Sequence, residues 1–256
     1  MKIAEYHGFN IRRNNSCGSG VKIANREGKS IILTNAHVVG TQLGGMVDIR
    51  WTDQNRVHWA VGRIIAAGYR RGQAVDWALI ASEDEALAEI TPHAMQEVAA
   101  TTDLITIGSP RCEEPSLRRL RFVRAAEPIA YAVPTAVGGQ SGSGITSNGR
   151  TVGLITWTDH RHTIFQTSSG LRQTMSPDWF LQQCESPLPD GLEPACDNPQ
   201  PCEEGMHIEA GTEIESIMEE AFSAPADEAN ADDWATIIRL LAEAIPLLIQ
   251  LLRSRR

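Results

Sequence analysis

Gly138-Gly139-Gln140-Ser141-Gly142-Ser143-Gly144 is the stretch that decides the fold. By itself it reads equally well as a flexible Gly/Ser linker. Its flanks remove that reading. Val133 to Val137 precede it, and Thr151-Val152-Gly153-Leu154-Ile155-Thr156-Trp157 follow, rich in β-branched and aromatic residues. The stretch is therefore a loop pinned between strands. Outward from it the same grammar repeats: short apolar runs at Gly20–Ala24, Ser30–Thr34, Met46–Trp51, Val57–Ile65, Trp77–Ala81, Asp103–Ile107, Leu120–Ala125 and Pro128–Val133, many of them punctuated by Gly or Asn. Such spacing predicts a mainly β sandwich or barrel. Helical signals are few, at Glu83–Ile90 and Pro177–Gln183.

Charge divides the chain of 256 residues. The formal net charge of −9 is made of +3 over residues 1–183, −15 over 184–233 and +3 over the rest. The break predicts a catalytic or binding domain over 1–183, an acidic, Pro-rich linker over 184–231, and a separate element over 232–256. Within the linker, Glu213–Phe222 could form a short helix. In the last element Trp234, Ile238, Leu241, Ile245, Leu248 and Leu252 repeat at heptad spacing, which predicts an apolar helical seam. Arg239 and Glu243 interrupt it and Pro246 would kink it. Self-association or packing on the first domain is the favoured role, ahead of a membrane surface. Met1-Lys2-Ile3-Ala4-Glu5-Tyr6-His7 has no apolar run of signal-peptide length, so a cytoplasmic location is expected. Five cysteines suggest no disulfide framework. Cys196 and Cys202 could pair or bind metal, but they read more simply as linker thiols.

Three positions carry chemistry. A serine hydroxyl becomes a nucleophile only when a base takes its proton. Its attack creates an oxyanion that needs two convergent N–H donors. The glycines around Ser141 permit the tight turn that would aim the N–H groups of Gly139 and Ser141 at one point. His37 follows the β-rich run Ile32-Leu33-Thr34-Asn35-Ala36, and its near-neutral pKa class suits a general base. His7, His58, His93, His160, His162 and His207 lack such a setting and read as ordinary histidines. Asp76 opens the apolar run Trp77-Ala78-Leu79-Ile80, where an unpaired carboxylate would be costly. A partner imidazolium would offset that cost. Asp48, within a strand pattern, and Asp53, in a polar turn, are weaker candidates.

Together, Thr34-Asn35-Ala36-His37-Val38-Val39, the Asp76 strand and the Ser141 loop resemble the trypsin-like (chymotrypsin-fold) serine peptidases over roughly residues 16–183, in that family's His, Asp, Ser order. The likeness is greatest to the bacterial HtrA-like and glutamyl-endopeptidase-like groups. The resemblance implies a double six-stranded antiparallel β-barrel with the site between barrels. It implies a serine endopeptidase working through an acyl-enzyme, with His37 as general base, Asp76 as its orienter, Ser141 as nucleophile, and the N–H groups of Gly139 and Ser141 as oxyanion hole. Thr135 would lie at the pocket base and Thr156-Trp157-Thr158 would pair with the substrate backbone, with His160, His162 and Thr163 near the opposite wall. In zymogen-activated members an Asp precedes the nucleophile; here Gln140 stands there, so that switch is not expected. No acid occupies the pocket base, so strict Lys/Arg preference is not expected either.

The chemistry calls for a polypeptide substrate and for no metal or cofactor. An acidic chain without a basic helix or aromatic RNA motif is not expected to bind nucleic acid. The alternative is a catalytically idle binding or scaffold module assembled through its C-terminal helix.

Overall fold

The computed structural model describes residues 8–53, 56–71, 74–98, 103–176, 193–194 and 202–223. Barrel 1 is built from β1 (Phe9–Arg13), β2 (Ser16–Arg26), β3 (Lys29–Thr34), β4 (Met46–Asp53), β5 (Arg56–Arg70) and β6 (Val75–Ser82). Its strands run in the order β5-β4-β1-β2-β3-β6, and β6 closes on β5. Barrel 2 is built from β7 (Asp103–Gly108), β8 (Ser116–Ala126), β9 (Ile129–Val133), β10 (Gly144–Ser147), β11 (Arg150–Thr158) and β12 (Thr163–Thr167). Its order is β10-β7-β8-β9-β12-β11, and β11 closes on β10. All neighbours around both barrels are antiparallel. The expected double six-stranded barrel is therefore present, and each apolar run named above lies in a strand.

Alternation fills each barrel. Phe9, Ile11, Ile32, Val47, Ile49, Trp51, Ile64, Ala78 and Ile80 share the interior of barrel 1. Leu104, Leu120, Ala130, Ile145, Ile155 and Phe165 share that of barrel 2. A third cluster lies outside barrel 1, joining Val21, Ile23, Leu33, Trp77 and Leu79 to Leu154 and Leu171 of the second half. β6 is thus covered on both faces, with every residue from Val75 to Ser82 buried. That is why its sequence reads as a continuous apolar run rather than an alternating one.

Short helices decorate the barrels: α1 (Ala36–Val39), α2 (Glu85–Ala88) and α3 (Ser168–Thr174). Asp84 caps α2, accepting from the N–H groups of Ala86 and Leu87. The other end of α2 meets a buried cation. Lys22, fully enclosed, donates through Nζ to the carbonyls of Leu87 (2.5 Å), Ala88 (3.3 Å) and Ile90 (2.5 Å). Ammonium donors at helix-terminal carbonyls satisfy orphan acceptors and oppose the dipole.

Within the stretch read as a linker, the described residues form three elements, one of them the helix expected at Glu213–Phe222. β13 (Glu193–Pro194) pairs with β11, and β14 (Gly205–Ile208) pairs with β5 along Ala66–Tyr69. Helix α4 (Ile214–Ser223) then presents Ile214, Ile217, Met218 and Ala221 to the third cluster. The composition is acidic, yet these four residues occupy one face of the helix. Each large one is worth ~1.5–3 kcal/mol of burial. Salt bridges Arg26–Glu213 and Arg63–Glu209 use the acids at the rim. The cysteine arithmetic also needs correction: Cys17 and Cys112, 95 residues apart, form a disulfide with Cα atoms 5.9 Å apart. Pro177–Gln183, Cys196 and the element at 232–256 lie outside the described residues.

Lys22→Met should destabilise the fold by about 1–3 kcal/mol, because it strands buried carbonyls. Burial pulls the Lys22 pKa from 10.5 down to about 8. The unfolded chain therefore binds the extra proton between those values, and this group's contribution to stability rises with pH across that window. Denaturant unfolding at pH 8 and pH 10 should show that increment in the wild type and its loss in Lys22→Met.

Candidate active site

His37 sits in α1, directly after β3, and Asp76 is the second residue of β6. The β3–β6 ladder runs Thr34 opposite Ala78, so the ends of both strands reach the same rim of barrel 1. There the Asp76 carboxylate meets His37 twice. Oδ1 accepts the His37 backbone N–H at 3.0 Å, and Oδ2 lies 2.5 Å from Nδ1. Both side chains are buried, at 2% exposure each. A buried carboxylate is tolerated here because both of its oxygens are engaged. With Nδ1 facing the carboxylate, Nε2 is the nitrogen left over, and it has no hydrogen-bond partner among the described residues.

The backbone of Asp76 is fixed as well. Its carbonyl accepts from Asn35 Nδ2 (2.7 Å) and Gln166 Nε2 (2.7 Å), and both amides also donate to Thr156 Oγ1 (3.0 Å each). Thr156 thus lies inside a polar network that joins α1, β6, β11 and β12.

Ser141 lies in the loop between β9 and β10, fully buried, with no partner for Oγ among the described residues. Its own carbonyl accepts the Ser19 N–H at 2.7 Å. Gly18 shows how closely the loop approaches α1. A Cβ there would stand 2.6 Å from Val38, the neighbour of His37, and 2.9 Å from the Ser141 carbonyl oxygen. His37, Asp76 and the Ser141 loop are therefore brought together across β2.

The loop amides divide into two sets. Those of Gln140, Gly142 and Ser143 donate to Val137, Ile155 and Gln140. Those of Gly139 and Ser141 make no hydrogen bond among the described residues. The carbonyls across the same peptide planes explain their direction. The Gly138 carbonyl is held by the Arg111 N–H at 2.6 Å, and the Gln140 carbonyl by the Ser143 N–H at 3.0 Å. In a trans peptide the N–H points opposite the C=O, so the Gly139 N–H faces away from Arg111 and the Ser141 N–H away from Ser143. Arg111 belongs to a turn at Pro110–Cys112, and Cys112 is the disulfide partner of Cys17 on β2. Gln140 is buried, its Oε1 accepting from Val137 N–H (2.9 Å) and Arg118 Nη1 (3.0 Å). A neutral amide thus staples the loop where a zymogen-activated relative carries a carboxylate.

Thr135 is half-buried between β9 and the loop, and Thr163 Oγ1 donates to the neighbouring Pro134 carbonyl at 2.7 Å. His160 is exposed. His162 contacts the Asp159 carboxylate through Nδ1 and packs edge-on to Tyr131. Trp157 packs with Ala74, Ile129, Tyr131 and Ile164. Ser19, Asn35, Arg111, Arg118 and Gln166 are contributors that the sequence did not single out, because most of their contacts span 22 to 122 residues of chain.

No protein-family model and no curated sequence matches the chain. Solved structures do. AlgW, an HtrA-type protease determined with a tripeptide, aligns with TM-score 0.51 and 14% identity, covering 68% of this chain and 60% of AlgW. An inactive form of the Rv3671c protease of M. tuberculosis aligns with TM-score 0.50 and 16% identity over 72% of this chain and 91% of that one. The fold is that of the trypsin-like serine peptidases. AlgW belongs to the HtrA group that the His37 segment resembles, and at these identities the likeness concerns the fold.

Within this fold Gly142 is the tightest point of the loop. Its φ is +84°, and an added Cβ would lie 2.1 Å from the Ser19 carbonyl oxygen and 2.5 Å from Thr34 Oγ1. Gly142→Ala should lower stability by more than the ~1–2 kcal/mol of a left-handed residue alone. A thermal melt should show it, and Gly28→Ala, also at positive φ but with open space around the added carbon, should cost less.

Proposed function

We propose that this chain is a serine endopeptidase that hydrolyses peptide bonds through an acyl-enzyme. One observation carries the proposal: the buried Asp76–His37 pair leaves only Nε2 unbonded, beside a loop that keeps Ser141 Oγ and two adjacent N–H groups unbonded. In this reading Nε2 takes the Ser141 proton as Oγ attacks the substrate carbonyl. Asp76 holds the tautomer and stabilises the imidazolium that forms. The N–H groups of Gly139 and Ser141 receive the oxyanion, a contribution of about 3–4 kcal/mol per donor in the barrier. His37 then returns the proton to the leaving amine, and water repeats the sequence on the ester.

Thr156-Trp157-Thr158 would hold the substrate as an added antiparallel strand, which gives affinity with little sequence choice. Thr135 and Thr163 would give the pocket a neutral, polar lining. Small or medium uncharged side chains suit that lining better than Lys or Arg, since no acid stands at the base.

A fluorophosphonate at neutral pH should label Ser141 in the wild type and not in Ser141→Ala. Asp76→Asn should lower kcat/KM on a peptide library about 10⁴-fold, because the wrong tautomer would face Ser141. A folded protein that takes no label and cleaves no library member, in the wild type and in Glu193→Pro alike, would overturn the proposal in favour of an idle scaffold.

A further inference from the structure

β11 has two kinds of edge. On one side β12 accompanies it from Gly153 to Thr158. On the other, β10 stops at Leu154 and the Ser141 loop takes both backbone groups of Ile155, which leaves Thr156–Thr158 for a further strand. The chain itself supplies one. β13 pairs there antiparallel, with Thr158 opposite Glu193 and Trp157 opposite Pro194. This two-residue strand runs toward Ile155. Ile155 is the residue whose carbonyl accepts from Gly142 and whose N–H donates to Ser143, so β13 points at the Ser141 loop. A peptide substrate on the same edge would approach Ser141 in that direction.

A second attachment follows on the other barrel. The Cys202 thiol donates to the Ala36 carbonyl at 3.2 Å, one residue before His37, and the Glu203 N–H donates to Thr41 Oγ1 at 3.3 Å. Burial, with the Asp76 carboxylate beside it, pushes the Cys202 pKa up to about 12, so the sulfur stays a protonated donor at neutral pH. The chain is thus fastened to barrel 2 at Pro194 and to barrel 1 at Cys202, eight residues later. His37 and Ser141 are enclosed in this arrangement, at 2% and 0% exposure.

We propose that the segment bearing Glu193 and Pro194 occupies the peptide-binding edge of β11 in cis and competes there with substrate, so that the resting protein is self-inhibited. The proposal rests on the reading of Thr156–Thr158 as the substrate edge. A two-residue strand is weak as a free ligand, but tethering raises its effective concentration to the order of millimolar. That is enough to compete with a peptide of ordinary affinity. The occupant is also easy to displace, as a reversible block must be.

Pro194 has no N–H, so Glu193 supplies the only backbone donor of β13. Glu193→Pro in the full chain removes it. The probe is a fluorescein-labelled peptide, Leu-Glu-Pro-Ala, the sequence of residues 192–195. Its Kd is measured in a Ser141→Ala background, so that hydrolysis plays no part. Glu193→Pro should tighten binding about three- to tenfold, the worth of one backbone hydrogen bond. Amide exchange at Thr158 should quicken while exchange in barrel 1 stays unchanged, which reports that the variant is folded. Replacing residues 192–195 by Gly-Ser-Gly-Ser should act in the same direction. Equal Kd values in all three proteins, or unchanged exchange at Thr158, would overturn the proposal. Tighter peptide binding in the Ser141→Ala background, with no fluorophosphonate taken by Ser141 in Glu193→Pro that keeps the serine, would uphold occupation of the edge while removing the peptidase reading.

Discussion

The two barrels meet where β2 passes beneath the Gly138–Gly144 loop, and Ser19 holds that crossing. Its N–H donates to the Ser141 carbonyl, its hydroxyl donates to the Gly139 carbonyl and accepts from the Ser109 N–H, and its own carbonyl accepts from Thr34 Oγ1. Four bonds at one enclosed residue tie β3, the β7 exit and the Ser141 loop to one strand. Neighbouring Gly18 supplies the clearance, since a side chain there would overlap Val38 and the loop. Everything the site needs is measured from this crossing: where Ser141 stands relative to His37, and which way the loop peptides face.

Around that crossing, the polar groups are divided by purpose. Those that set position are bonded twice or more, as with the Asp76 carbonyl, Gln140 Oε1 and Thr156 Oγ1. Those that would meet a reacting group are left open: Nε2 of His37, Oγ of Ser141, and the N–H groups of Gly139 and Ser141. Buried polar atoms without partners carry a cost of order 1–3 kcal/mol each.

Much of the fold was legible because barrel strands alternate, and alternation survives in a single sequence. Each apolar run fell in a strand, and β6 betrayed its double burial by losing the alternation. The missed strands had reasons. β1, Phe9-Asn10-Ile11-Arg12-Arg13, and β12, Thr163-Ile164-Phe165-Gln166-Thr167, are short and carry polar residues that the structure buries in networks. β10 is four residues long and begins inside the glycine loop. His37, Asp76 and Ser141 could be named from their surroundings, whereas Ser19, Asn35, Arg118 and Gln166 look ordinary until the chain folds back over them. Over 202–223 seven acids without a base suggest solvation; the helix at Glu213–Phe222 was legible, but composition hid that Ile214, Ile217, Met218 and Ala221, at helical spacing, pack it onto the barrels. The Cys17–Cys112 pair was hidden by its 95-residue separation and by an odd cysteine count.

Helix α4 closes over residues made much earlier. Ala221 accepts the Met95 N–H, and its helix completes the cluster around Val21, Leu33 and Leu79. On the ribosome, 140 residues separate the synthesis of Ala81 from that of Ala221. At ordinary elongation rates that is roughly 10–30 s. For that interval barrel 1 has its own interior but an unfinished flank. The last described element to emerge is the one that covers this flank, so the nascent protein passes most of its synthesis with one side of barrel 1 uncovered.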